Sequence, residues 1–189
     1  GIHADSFTGS QAGFITDTHH TEAKILDVRA DRIREALEAG RVPVVAGAQG
    51  VSTNRDVTFL GRGGSDTTAV ALAKALDADA CELYTDVSGV YTTDPRVVAE
   101  ARKLHQVSFD ELLEMTATGC PKPAMRSVEY ARRHGVKLHV RSAFTWEPGT
   151  WVTEEDPTME QAVVAAITHD RSEAKITVSG VPERLGVAA

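Results

Sequence analysis

The stretch that most constrains this chain is Leu60-Gly61-Arg62-Gly63-Gly64-Ser65-Asp66-Thr67-Thr68-Ala69. Three glycines let the backbone take turns closed to other residues and come close to whatever lies opposite. Beyond them the apolar positions Ala69, Val70, Ala73 and Leu76 recur at helical spacing, so residues 65–76 are expected to form a helix. Its small side chains allow a close approach to a sheet. A short strand over residues 57–60 is expected to lead into the loop, and a strand over 80–84 to follow the helix. That second strand runs into the polar turn Thr85-Asp86-Val87-Ser88-Gly89-Val90-Tyr91-Thr92-Thr93-Asp94-Pro95-Arg96.

The rest of the chain repeats this alternation. Residues 24–28 read as a strand. Asp31 is placed to cap a helix whose apolar face is Ile33, Ala36 and Leu37, and Gly40 is placed to stop it. The apolar run 42–46 suits a buried parallel strand with Pro43 near its start, and 47–56 reads as a polar loop. Ser108 and Glu111 have the spacing of a capping box opening a helix to about residue 118. Gly119-Cys120-Pro121-Lys122-Pro123 is a rigid break. A helix over 124–134 ends at Gly135, and 137–141 alternates as a strand. Alternation of this kind specifies an α/β layer structure with a largely parallel sheet. Ligands of such sheets sit beyond the carboxyl ends of the strands, which is where both motifs begin. After residue 150 the composition shifts to a linker-like acidic stretch, with two further strands expected over 163–167 and 175–179.

The first motif has the makings of an anion site. A helix N-terminus presents N–H groups and the positive end of its dipole, and Arg62 adds a planar fork for a carboxylate or phosphate. From the glycines alone, a tight turn with Ser65 or Asp66 as an ordinary N-cap accounts equally for the pattern. The glycine spacing is neither that of a Walker loop nor that of a dinucleotide fingerprint. In the second motif Tyr91 offers a ring for a base, while Asp94 and Arg96 flank a proline and form either ligands or a surface pair. Lys122 is a cation in a stiff loop that could meet a phosphate. The net charge of -7 excludes a nucleic-acid platform, which needs a basic face. Two cysteines make no disulfide framework, and a reduced thiol at Cys81 suits the cytoplasm. No apolar run reaches membrane-spanning length, no signal peptide is visible, and the His19-His20 pair lacks partners at metal-ligand spacing.

At these residues the sequence resembles the aspartokinases of the amino-acid kinase superfamily. The likeness runs through Phe7-Thr8-Gly9-Ser10-Gln11-Ala12-Gly13, both motifs, Arg126-Ser127-Val128-Glu129-Tyr130-Ala131, and Ser172-Glu173-Ala174-Lys175-Ile176-Thr177-Val178. It implies a three-layer αβα catalytic domain, incomplete, over residues 1–150, and over 151–189 a linker with the first strands of a ferredoxin-like ACT regulatory domain. It implies transfer of the γ-phosphoryl group of ATP, with Mg2+ bound through the nucleotide, to the side-chain carboxylate of L-aspartate. By match, Arg62, Gly63, Gly64, Ser65 and Asp66 grip the amino acid, with Arg62 on a carboxylate and Asp66 on the ammonium. Tyr84, Thr85, Asp86, Val90, Tyr91, Asp94 and Arg96 lie by the nucleotide, and Asp66 and Lys122 are the candidate catalytic pair. Homo- or hetero-oligomers through ACT regions are implied as well.

The sequence also departs from the family. A Lys-Phe-Gly-Gly strand and a substrate-binding glutamate are expected upstream of residue 1. The family's second lysine falls one residue away, at Lys122. An aromatic in the Gly-X-Gln-Gly turn is replaced by Ala48. Weak or absent kinase activity is therefore expected of these residues alone. A kinase with another carboxylate acceptor and a non-catalytic subunit that kept the fold stay open as alternatives.

Overall fold

A computed structural model of the chain describes residues 1–120, 122–154 and 166–169. In order the elements are β1 (Ala4–Phe7), β2 (Phe14–Thr16), β3 (Ile25–Val28), α1 (Asp31–Glu38), β4 (Val42–Val45), β5 (Gln49–Ser52) and β6 (Val57–Phe59). There follow α2 (Gly64–Ala75), β7 (Cys81–Thr85), β8 (Gln106–Ser108), α3 (Phe109–Ala117), α4 (Met125–His134), β9 (Leu138–Ser142) and β10 (Thr150–Thr153).

The fold is α/β and rich in parallel pairs. β1 pairs with β4, β2 with β5, β7 with β9 and β8 with β10, all parallel. β2/β3, β5/β6 and β9/β10 run antiparallel. The described strands form three sheets, ordered β1-β4, β3-β2-β5-β6 and β7-β9-β10-β8.

α2 holds the molecule together because it serves two cores. Val70 and Ala73 pack into a cluster with Leu83, Leu112, Val128, Leu138, Val140 and Val152. Ala71 packs into the other, with Phe7, Phe14, Ile33 and Ala36. A helix that is apolar on both sides must be lined with small residues to admit neighbours on both, and this one is.

Several elements depart from local expectation. α1 begins after Ala30 with no side-chain cap, so Asp31 is its first residue and pairs with Arg34 at 3.5 Å. Leu37, expected on the buried face, is 47% exposed. β4 is parallel with Pro43 near its start as expected, paired opposite Asp5, but Val42 and Val44 are exposed. β5 occupies the expected polar loop. It forms because its backbone pairs on both sides, and Gly50 lets it approach: a Cβ there would lie 2.7 Å from Thr16 Cγ2. β9 does not alternate, since four of its five residues are buried. β10, in the stretch where composition shifts, is inserted between β9 and β8.

Other expectations are met. The capping box at α3 is complete, with Ser108 accepting from the Glu111 amide and Glu111 accepting from the Ser108 amide. Gly135 ends α4 in the left-handed region at φ 67°. The expected strand over 175–179 lies outside the described residues, as does that over 163–167 except for Ala166 and Ile167. No helix is long and apolar enough, among the described residues, to cross a membrane.

Candidate functional site

The first motif is a backbone turn closed by glycine rather than by a capping side chain. Gly61 (φ 81°) and Gly63 (φ 68°) are left-handed, and Gly63 is the N-cap of α2 with no side-chain cap. Ser65 and Asp66 therefore lie within the first turn, which removes the reading of either as an ordinary N-cap. Gly63 is required twice over, because a Cβ on it would lie 2.4 Å from the Ala124 Cβ. Gly64 packs on Ala48, itself left-handed at φ 60°. The Ala48 amide donates to Thr68 Oγ1 at 2.9 Å, and Thr68 Oγ1 donates to the Gly64 carbonyl at 2.8 Å. Arg62 and Ser65 are exposed at the mouth of this turn. Among the described residues Arg62 has no carboxylate partner.

The second motif leaves β7 at Thr85. Thr85 Oγ1 donates to Asp86 at 2.9 Å, and this bond, helped by Lys122, holds the Asp86 carboxyl below its ordinary range. Asp94 is gripped by Arg96 through Nε at 3.0 Å and Nη2 at 2.8 Å, and also accepts from the Arg96 amide. The Arg96 fork brings its carboxyl down to about 2. The two side chains thus form a pair, the second of the two readings left open, with the Arg96 side chain 81% exposed. Tyr91 bridges to Lys103. Val90 is 2% exposed and lies in the core. Its amide donates to Thr150 Oγ1 at 2.9 Å, and its carbonyl accepts from the Leu104 amide. Tyr84 faces away from α2: its hydroxyl donates to Glu82 at 2.8 Å, and the Arg141 guanidinium lies 5.5 Å from its ring.

The two motifs meet at the entrance to α4. Asp66 Oδ2 accepts from the Ala124 amide at 3.1 Å. Two residues earlier, Lys122 Nζ reaches Asp86 Oδ1 at 3.4 Å. One short segment is therefore tied to the first motif by its backbone and to the second by its side chain. The structure brings together Arg62, Gly63, Gly64, Ser65, Asp66, Lys122, Asp86 and Thr85. It does not bring the side chains of Tyr84 and Val90 to that group. Burial pushes the thiol of nearby Cys81 up to about 11, with the Asp66 charge adding to the shift.

Sequence reasoning passed over three contributors. Thr150, wholly buried, ties the second motif down by receiving the Val90 amide and donating to the Leu104 carbonyl. Lys103 bridges Glu147 at 3.2 Å and the Pro148 carbonyl at 2.6 Å, fastening residues 147–148 to the same loop. Arg126, in the first turn of α4, donates to the Leu60 carbonyl at 2.8 Å and the Ala23 carbonyl at 2.7 Å. Only Arg126 left a trace in the sequence. A cation in the first turn of a helix opposes the dipole, so it must have acceptors elsewhere. Among the described residues no group of three or more His, Cys, Asp and Glu is placed to hold a metal ion.

Comparison with known proteins adds to this geometry. The model of the amino acid kinase family matches residues 1–142. An aspartokinase from Mycolicibacterium smegmatis is 57% identical over 192 aligned residues, covering 100% of this chain and 46% of that protein. The chain thus spans about half the length of the curated relatives it matches. Among solved structures, E. coli aspartokinase III in complex with aspartate and ADP superposes with a TM-score of 0.75 at 31% identity, over 83% of this chain and 36% of that one. The aspartate kinase from Synechocystis superposes with a TM-score of 0.68 at 44% identity, over 85% of this chain and 26% of that one.

Proposed function

Since this chain belongs to the amino acid kinase family, we propose that it is part of an aspartokinase that phosphorylates the side-chain carboxylate of L-aspartate with ATP. The product is 4-phospho-L-aspartate, an intermediate of amino-acid biosynthesis, and the setting is the cytoplasm. Residues 1–150 are the part of the catalytic domain that carries the nucleotide wall and part of the acceptor wall. Residues 151–189 are a linker and the start of an ACT region, through which homo- or hetero-oligomers form.

The observation that carries this reading is the junction at α4. Lys122, one residue from the family position, still reaches the second motif at Asp86, while Asp66 of the first motif holds the adjoining backbone. This supports a reading in which Lys122 serves between an acceptor wall and a nucleotide wall. In the reaction a carboxylate oxygen of aspartate attacks the γ-phosphorus. The bond from that phosphorus to the β,γ-bridging oxygen breaks, and ADP leaves with the electron pair. No proton has to move, so the chain's task is positioning and charge neutralisation.

In this reading Arg62 clamps the α-carboxylate of the acceptor. Asp66 has one oxygen engaged by Ala124 and offers the other to the ammonium. Ser65 and the first-turn amides of α2 complete the grip. Lys122 turns from Asp86 toward the transferring phosphoryl group. Thr85, Asp86, Tyr91, Asp94 and Arg96 line the nucleotide, with Tyr84 and Val90 supporting that wall from β7 and from the core. Mg2+ bound through the nucleotide would offset phosphate charge there, without a cage built from this chain's side chains.

The test is trapping of the acyl phosphate with hydroxylamine, using the complete gene product, ATP and a panel of acceptors. Aspartyl hydroxamate is the expected product. Preference for glutamate, N-acetylglutamate or carbamate would move the reading to another acceptor. Calorimetry showing no ATP binding would replace it with a non-catalytic subunit.

A further inference from the structure

We propose that Arg126 is a positioning residue for the acceptor wall. Its guanidinium sets where Gly61 and Arg62 leave β6, and so where Arg62 meets the acceptor carboxylate. This rests on reading residues 61–66 as the acceptor wall.

The first argument is electrostatic. Arg126 stands in the first turn of α4, where a positive charge is disfavoured by the helix dipole. Its recorded acceptors are two neutral carbonyl oxygens, of Leu60 and Ala23, and among the described residues it has no carboxylate partner. A cation kept in an unfavourable place and left without a counter-charge keeps its field for its surroundings. Those surroundings are the wall expected to receive an anion.

The second argument is geometric. The two carbonyls lie 66 and 103 residues away in sequence, so the fork joins three segments that nothing local would align. Leu60 is fixed from both sides: its amide donates to the Ala48 carbonyl at 2.8 Å while its carbonyl accepts from Arg126. Ala23 is fixed likewise, its amide donating to the Phe59 carbonyl at 3.0 Å. The segment before Ala23 passes over the glycine turn so closely that a Cβ on Gly61 would lie 2.8 Å from the Thr21 carbonyl oxygen. Arg126 thus clamps the glycine turn between α4 and residues 21–23. Its helix also has Ala124 as N-cap, the residue whose amide holds Asp66.

The third argument concerns residue type. Two carbonyls in fixed directions match the rigid fork of a guanidinium, whose donors diverge in one plane, and not the single ammonium of lysine. With both recorded donors engaged on backbone, Arg126 acts on the substrate through Leu60 and Arg62 rather than by contact.

The experiment compares Arg126→Lys, Arg126→Ala and the benchmark Arg62→Ala in the complete gene product. For Arg126→Lys the acceptor KM is expected to rise about 10-fold while the ATP KM stays within about 2-fold, the loss expected from weakened hydrogen bonds made by a charged donor. Guanidinium ion added to Arg126→Ala should lower the acceptor KM again. In the unliganded protein, amide exchange at residues 61–64 should quicken in Arg126→Lys while that of β7 stays slow. An equal rise in both KM values, or a lowered melting temperature with neither KM changed, overturns the proposal, because either marks a general strut. If the wild-type protein phosphorylates no amino acid, the acceptor reading fails by itself. Exchange at residues 61–64 then still decides whether Arg126 sets the turn, and unchanged exchange overturns that too.

Discussion

The two motifs are built by opposite means. The first is fixed from a distance: Gly63 against Ala124, Asp66 on the Ala124 amide, Thr68 on Ala48 and Arg126 on Leu60. The second is shaped mostly by neighbours in sequence, with Thr85 on Asp86, Arg96 on Asp94 and Arg102 on Thr92, and is anchored from outside chiefly through Thr150 and Lys103. Tight long-range contacts make a pre-organised surface, as the proposed grip on one small amino acid requires. Local polar contacts at exposed positions are individually weak and exchange readily for ligand contacts, as the proposed nucleotide wall requires.

The hardest blow to this contrast is Gly63→Ala. The new Cβ meets Ala124 at 2.4 Å in a left-handed residue, so strain and overpacking together should cost about 2–5 kcal/mol. Denaturant unfolding measures it, and a loss under 1 kcal/mol, far below that range, would show the first wall to be as pliable as the second. Next comes Lys122→Ala. The expected loss in turnover is on the order of 100-fold, the scale for removing a preorganised charge-stabilising donor, with the melting temperature unchanged because its ion pair is exposed. A melting temperature that falls with activity would make Lys122 a strut of the junction.

Thr150→Val tests the outside anchor of the second wall. It leaves the buried Val90 amide without an acceptor, at about 1–3 kcal/mol, and should raise the ATP KM while leaving the acceptor KM alone. The smallest effect is the titration of Asp94. Its carboxyl is depressed to about 2 from an ordinary 3.8, so its pairing with Arg96 is fully present above 3.8 and lost as the pH falls through about 2. Carboxylate resonances followed by NMR should show that midpoint in the wild-type protein, and a return toward 3.8 in Arg96→Gln. An unchanged midpoint would mean that the fork is not what shapes the turn.

Much of the architecture was legible because it is local. The capping box at Ser108 and Glu111, the stop at Gly135, the small-residue spacing of α2 and the strand before Thr85 each lie within one turn or one strand of sequence. The long motifs made the family legible as well, and the matching family model agrees with it. β1, β5, β8 and β10 were not legible. Ala4–Phe7 and Gln49–Ser52 carry polar residues that no periodicity marks, and they become strands only because partner backbones lie beside them. Asp31 was misjudged as a cap for a related reason: the place where α1 starts is set by Ala30, buried in the second core.

Sequence by itself determined the four described helices and the strands flanking the two motifs, that the sheets are rich in parallel pairs, and that both motifs leave strand ends. Tertiary structure alone decided that the entrance to α4 joins those loops. Its contacts run from Ala124 to Asp66 and from Arg126 to Leu60 and Ala23, across 58, 66 and 103 residues. Propensity, capping and periodicity act over about one helical turn to a few turns. A hydrogen bond between backbone atoms far apart in the chain exists only after the two cores on α2 have packed and brought them within reach.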